Sequence, residues 1–298
     1  MLTISDPESH VYDKPPAHAN ADWTIDQNWS AYSAEEHATW DTLFSRQRDM
    51  LPGRAAKAFL DGIDILQLSK PGIPDFDELN RILMDATGWQ VVAVPGLVPD
   101  DVFFDHLANR RFVSGNFIRR PEQLDYLQEP DIFHDVFGHV PMLADQRFAD
   151  YMQAYGRGGL RALKYGTLKQ LARLYWYTVE FGLIQEPEGL RIYGAGIVSS
   201  FGESIFALDD DSPNRIMFDL ERVLRTEYRI DDFQQNYFVI PSLDELLRVT
   251  VETDFEPVYE KIANMPDIAI GDIIDGDDVL TCGKQDHSSA QSGSAVVV

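Results

Sequence analysis

Two histidines five residues apart in an apolar run, Asp131-Ile132-Phe133-His134-Asp135-Val136-Phe137-Gly138-His139-Val140-Pro141, constrain the fold of this chain more than any other stretch. A regular α-helix turns about 100° per residue, so positions five apart lie about 140° from each other and share no face. If both imidazoles are to reach one point, the helix must be distorted between them. Gly138 tolerates unusual backbone angles, Pro141 cannot continue the hydrogen-bond ladder, and a single π-type turn brings residues five apart nearly into line. The pair alone leaves two readings open, because a histidine on an apolar segment is more often hydrogen-bonded core than metal ligand.

Composition narrows what such a pair can hold. The only cysteine, Cys282, lies in a polar stretch, which excludes disulfide frameworks, Cys-ligated zinc and iron–sulfur clusters. Any metal must therefore be held by nitrogen and oxygen. A chain of 298 residues that is 44% hydrophobic can bury the core of one large domain or two small ones. Its 25 basic and 49 acidic residues give a net charge of −24, which argues against nucleic acid or an anionic membrane as partner, since both need a basic footprint. No apolar stretch approaches the roughly 20 residues of a membrane span, and no basic N-terminal region precedes an apolar run. A cytoplasmic protein is the expectation.

Along the chain, residues 1–28 read as an extended polar arm, 29–270 as a single catalytic-size domain and 271–298 as an acidic, then Ser-rich, disordered tail. Trp23 and Trp29 suggest that the later part of the arm packs on the body. Ser33-Ala34-Glu35-Glu36 is a capping box opening a helix to about residue 50, and helices are expected over 55–66 and over 76–86, the latter capped by Asp75 and stopped by Gly88. Residues 89–94 and 112–118 read as short strands around a helix at 99–108. Gln128-Glu129-Pro130 leads into the histidine segment, with Pro130 suited to a first helical position. Helices are further expected over 168–183, over 212–228 from Ser212-Pro213, and over 242–264 from a second capping box, with 233–240 as a strand or irregular wall. The class is mainly α with a few short β-strands.

The helix at 168–183 is rich in aromatic residues, and Leu171, Leu174, Tyr175 and Thr178 form one apolar stripe. Glu180 lies in it between Val179 and Phe181. A buried, unpaired carboxylate costs several kcal/mol, so Glu180 either binds a metal or a basic residue, or faces solvent. With His134 and His139 it would make a set of two imidazoles and one carboxylate. That set serves non-haem Fe(II) oxygenases, which keep three open positions, and zinc hydrolases, which keep one. A zinc protease would show histidines four apart with a glutamate between them, whereas here the spacing is five and Asp135 follows the first. Iron fits better than zinc.

Three blocks occur in order: the segment from Glu129 to Pro141, Tyr175-Trp176-Tyr177-Thr178-Val179-Glu180-Phe181-Gly182, and Tyr193-Gly194-Ala195-Gly196 through Glu203. Together they resemble the aromatic amino acid hydroxylases, and within them the short bacterial phenylalanine 4-monooxygenases, over roughly residues 30–265. The resemblance implies the aromatic amino acid hydroxylase catalytic-domain fold. It further implies that His134, His139 and Glu180 bind Fe(II), and that a tetrahydropterin and O2 are used to convert L-phenylalanine to L-tyrosine in phenylalanine catabolism. Gly96, Leu97, Val98 and Phe103 would meet the pterin, with Asp135 and Tyr175 as its other neighbours. Asp135 stands where many relatives have Glu, which shortens its reach. Arg119 would take the substrate carboxylate, where the bland alternative is a surface charge on a strand edge. Pro130, Trp176 and the edge of His134 would form the ring slot, with Gly196, Ser199 and Ser200 completing the substrate side. Animal members carry a regulatory domain and a tetramerisation helix for which this chain has no room, so a monomer is expected. Ile230 stands where tyrosine hydroxylases carry an acidic residue, which points away from tyrosine as substrate, and phenylalanine is preferred over tryptophan because the short bacterial members use it. Tryptophan hydroxylation, and more remotely zinc-dependent hydrolysis, are the alternatives.

Overall fold

The computed structural model describes residues 14–125 and 129–287. The expectations for 1–13 of the arm, for Gln128 and for 288–298 of the tail lie outside the described residues.

Local sequence signals fix the N-terminal layer. Ser33 caps α1 (Ala34–Met50) with a complete box: its hydroxyl accepts the Glu36 N–H at 3.2 Å, and the Glu36 carboxylate accepts the Ser33 N–H at 2.7 Å. Helices α2 (Lys57–Ile65) and α3 (Phe76–Thr87) follow; Asp75 caps α3, and Gly88 closes it at φ 75°, in the left-handed region that favours glycine. Strands β1 (Gln90–Val94) and β2 (Arg111–Gly115) flank α4 (Asp100–Ala108) and pair in parallel, Gln90 opposite Arg111 through Val94 opposite Gly115. The arm joins this unit from residue 22 onward: Trp23 is buried, Ile25 bridges Ala93, and Asp22 pairs with Arg111 at 3.0 Å.

The histidine segment is distorted as its spacing requires. Phe133–His139 wind as a π-helix, and a 3₁₀ turn, Val140–Ala144, takes the chain out past Pro141. Phe133 and Phe137 stack at 4.7 Å on its apolar side and meet Trp40, Phe44 and Phe59 edge-on at 5.2–5.7 Å. This aromatic packing anchors the π-helix against α1 and α2.

Beyond it run α5 (Gln146–Tyr165) and α6 (Leu168–Tyr175), the latter continued by a second π segment, Trp176–Glu180. Then come β3 (Leu183–Glu186), β4 (Gly189–Ile192), α7 (Ala195–Val198), α8 (Phe201–Asp209), β5 (Asn214–Met217), α9 (Leu220–Arg225), β6 (Asn236–Ile240), α10 (Leu243–Glu252), α11 (Phe255–Ile262) and β7 (Val279–Thr281). The sheet order is β4-β3-β6-β5-β7, with β3 and β5 parallel to β6 and the edge strands antiparallel. The mainly α class with a few short strands is therefore observed.

Several elements differ from the sequence reading, each through tertiary pairing. The helix expected at 212–228 is split: Asn214–Met217 is drawn into the sheet between β6 and β7, and Asp219 caps the short α9 that remains. The helix expected at 242–264 breaks at Thr253, where Asp254 caps α11 and Pro257 sits in its first turn, a place that needs no N–H. Ser242 does cap α10, but Glu245 turns to Arg248 at 2.8 Å instead of closing a box. The helix at 168–183 ends at Glu180, because Leu183 pairs with Ile192 and Val239. The strand at 112–118 stops at Gly115, and Pro130 stands in the loop ahead of the π-helix instead of in its first turn. Residues 271–287, expected as tail, are packed instead: β7 pairs with β5, and the His287 ring lies 4.8 Å from Phe206 and 5.4 Å from Phe233.

Candidate active site

The two π segments bring three ligand-type side chains together. The His139 Nε2 lies 3.3 Å from the His134 Nε2 and 3.1 Å from Glu180 Oε1, and His134 Nε2 is 3.7 Å from Glu180 Oε2. Among the described residues this is the one His/Cys/Asp/Glu cluster able to hold a metal, its donor atoms all within 4.8 Å of each other. Glu180 is fully buried and faces both imidazoles, and although His139 and Tyr175 stand beside its carboxylate, neither oxygen has a well-aligned hydrogen bond among the described residues. A buried carboxylate left this way is costly unless a cation completes it, so the residues fit a metal ion. The solvent-facing alternative for Glu180 does not hold.

Each ligand has a structural reason for its place. The Phe181 N–H reaches back five residues to the Trp176 carbonyl at 2.8 Å, the π-type bond that turns Glu180 inward. The chain at 194–196 presses on this turn: a Cβ on Gly194 would lie 2.4 Å from the Glu180 carbonyl oxygen, and one on Gly196 2.8 Å from the Phe181 ring. Ser199 donates its hydroxyl proton to the Ala195 carbonyl at 2.7 Å, so its oxygen accepts from His134 Nδ1 at 3.0 Å. This network assigns the proton to Nδ1 and leaves the Nε2 lone pair facing Glu180. Burial pushes the His134 imidazole down to about 4, which keeps it neutral as a ligand must be. Burial works to raise Glu180, but His139, His134 and Tyr175 together outweigh it and the carboxyl is held below its ordinary range.

A cavity of about 530 Å³ opens over the cluster. His134, His139 and Glu180 form part of its wall, as do Gly96, Leu97 and Val98 from the β1–α4 connection, Phe103 from α4, and Pro130, Asp135, Tyr175 and Trp176. Asp135 accepts the Gly115 N–H at 2.8 Å, and its burial lifts its carboxyl to about 7. Arg119, Gly196, Ser199 and Ser200 are outside this wall. Ser200 caps α8 through the Glu203 N–H, and Gly196 packs on Phe181. Arg119 is no surface charge: it is 4% exposed, and its Nε and Nη2 each meet Asp131 at 2.9 Å.

Sequence reading passed over Asp131, Tyr228 and Gln234. Asp131 accepts the Arg119 N–H at 2.9 Å and the His134 N–H at 3.0 Å besides the guanidinium, so one carboxylate links Arg119 to the first histidine. Burial works to raise it, and Arg119 more than offsets this, holding it below the carboxylate range. Its signal was a charge three residues before His134 in an apolar run. Tyr228 and Gln234 meet Trp176 from more than 50 residues away, and nothing local marks them.

Comparison with known proteins adds a second line. Residues 25–258 match the biopterin-dependent aromatic amino acid hydroxylase family model. A phenylalanine-4-hydroxylase of Caulobacter vibrioides is 66% identical over 93% of this chain and 94% of its own length, and one of Ralstonia nicotianae is 60% identical over 89% and 84%. A crystal structure of the Chromobacterium violaceum phenylalanine hydroxylase with bound oxidised Fe(III) is 57% identical, with a TM-score of 0.86 over 89% of this chain and 96% of that one. Another with iron and phenylalanine bound has a TM-score of 0.84 at 54% identity, over 88% of this chain and 96% of that one.

Proposed function

This chain belongs to the biopterin-dependent aromatic amino acid hydroxylase family, and from that premise we propose that it hydroxylates L-phenylalanine to L-tyrosine with Fe(II), a tetrahydropterin and dioxygen. The observation that carries the proposal is the buried His134–His139–Glu180 set, its donor atoms all within 4.8 Å of each other, at the wall of a cavity large enough for two ring systems. When bound, the iron and the reduced pterin supply the activation of dioxygen and the transfer of one oxygen atom to the ring.

The protein's own work is binding and orientation. His134, His139 and Glu180 would hold the metal, and the cavity beside them leaves room for its further ligands. Gly96, Leu97 and Val98 line the side assigned to the pterin, with Phe103, Asp135 and Tyr175 bordering it. Trp176 and Pro130 bound the slot for the phenylalanine ring. Arg119 is assigned to the substrate carboxylate: a guanidinium has five N–H groups, and Asp131 fixes the plane in which those remaining are presented. Ser199 sets the His134 tautomer, while Ser200 and Gly196 act through the backbone they shape. Fixing both partners next to each other in one cavity supplies the proximity the reaction needs.

We further infer a monomeric cytoplasmic enzyme of phenylalanine catabolism, with a catalytic domain from residue 29 that extends to at least residue 287. A reducing compartment suits Fe(II) and a reduced pterin, and among the described residues no helix is long and apolar enough to cross a membrane. The deciding experiment incubates the metal-free protein with Fe(II), a tetrahydropterin, oxygen and each of phenylalanine, tryptophan and tyrosine. Tyrosine formation from phenylalanine is the expected result. Preferential hydroxylation of tryptophan, or turnover restored by zinc without pterin, would overturn the assignment, and light scattering tests the monomer.

A further inference from the structure

Trp176 borders the cavity, and its indole is held by the segment that precedes β6. The indole N–H donates to Gln234 Oε1 at 2.9 Å, and the ring lies on that of Tyr228 with centroids 4.3 Å apart and planes 17° from parallel. Stacking restrains the tilt of an indole but lets it slide and rotate in its own plane, whereas its single N–H donor, once bonded, fixes that rotation. Gln234 is a rigid anchor: it is 2% exposed, its Nε2 donates to the carbonyls of Arg229 at 3.0 Å and Asp232 at 3.3 Å, and its backbone N–H donates to Glu203 Oε1 at 3.3 Å. Every polar group of the side chain is thus committed, and one of those commitments ends on the cavity wall.

We propose that Gln234 is a positioning residue for the aromatic substrate, fixing the in-plane orientation of Trp176 and through it the shape of the ring slot. This rests on the reading of Trp176 as a wall of the phenylalanine slot. Without the bond the indole turns on Tyr228, the substrate ring sits less well beside the metal, and the reduced pterin gives its two electrons to dioxygen to release hydrogen peroxide without tyrosine being formed.

The test uses the full-length, iron-loaded protein. Gln234→Met keeps the length of the side chain and removes the acceptor. It is expected to raise the KM for phenylalanine about tenfold, the size of a coupling between touching residues. Tyrosine formed per pterin consumed should fall, while the KM for pterin and the iron content stay unchanged. Added to Trp176→Phe, the same change should do nothing further. Trp176 emission, obtained as the difference between wild type and Trp176→Phe, should shift in Gln234→Met; this readout needs no turnover, so it separates failure of this proposal from failure of the assigned reaction. Gln234→Asn, one methylene too short to reach the indole, serves if the Met variant does not fold and should behave alike. Unchanged KM and coupling, an equal effect in the Trp176→Phe background, or an unshifted emission difference would each overturn the proposal.

Discussion

Asp131 receives three hydrogen bonds from Arg119, from the backbone N–H and Nε to one carboxylate oxygen and from Nη2 to the other, each 2.9 Å long. Both residues are buried, and removing one partner of such a pair leaves an uncompensated charge at a cost of about 3–5 kcal/mol. Asp131→Ala is therefore expected to lose that order of stability, read as a fall in the urea midpoint at pH 7. Because the native carboxyl is held below its ordinary value, its contribution is present above that value and fades as pH falls through the depressed one. A variant as stable as wild type at neutral pH would show that the pair is not the anchor described.

Metal binding should depend on each of the three ligands separately. Glu180→Gln and His139→Ala are expected to lose bound iron and at least about 100-fold in activity with the far-ultraviolet circular dichroism unchanged, while Ser199→Ala, which frees the His134 ring, should lose about 10- to 100-fold in iron affinity or activity. Iron content after gel filtration and steady-state rates check both. Full activity in Glu180→Gln would remove the carboxylate from the ligand set.

The backbone of Glu180 leaves no room for a side chain opposite. A Cβ at Gly194 would sit 2.4 Å from the Glu180 carbonyl oxygen, and the obstacle is main chain. Gly194→Ala should cost about 3 kcal/mol, the upper end of overpacking effects, and weaken iron binding as the π segment shifts. Thermal melting together with iron titration would reveal a variant that does neither.

Glu203 gives a pH dependence of opposite sign to that of Asp131. Burial first, and then Asp232, push its carboxyl up to about 8 against the hydrogen bonds of the Tyr237 hydroxyl and the Gln234 N–H. In the unfolded chain it ionises near 4.5, so its contribution to stability is fully present below that value and is lost as pH rises through 8. Glu203→Gln should accordingly gain stability relative to wild type between pH 5 and pH 8. Urea midpoints that keep a constant difference across this range would mean that the native carboxyl is already ionised.

The segment after residue 278 should stabilise the sheet. Ending the chain there removes β7 and the His287 ring from Phe206 and Phe233. A loss of about 2 kcal/mol is expected, seen as a Tm lower by roughly 4–8 °C. An unchanged Tm would show that the strand is only an ornament on the β5 edge.

The sequence could be read wherever a signal is local. The capping box at Ser33, the Asp75 and Gly88 ends of α3, and the strand at 90–94 are each decided by neighbours within a few residues, and all are present. The distortion at His134 and His139 was legible too, because a five-residue spacing with Gly138 and Pro141 admits few backbones. Where a segment's state depends on a distant partner, the reading went astray: 214–217 reads as helix until β6 and β7 lie beside it.

The same division runs through the site. The residue types and spacing of His134, His139 and Glu180 are written in the chain, as is the resemblance they carry, because metal ligation demands particular atoms. That Glu180 is buried against both imidazoles, that Asp131 holds Arg119, and that Gln234 grips Trp176 were decided only when segments 12 to 58 residues apart met. Burial and hydrogen-bond partnership belong to the packed molecule, since each exists only between groups that the fold, and not the sequence order, makes neighbours.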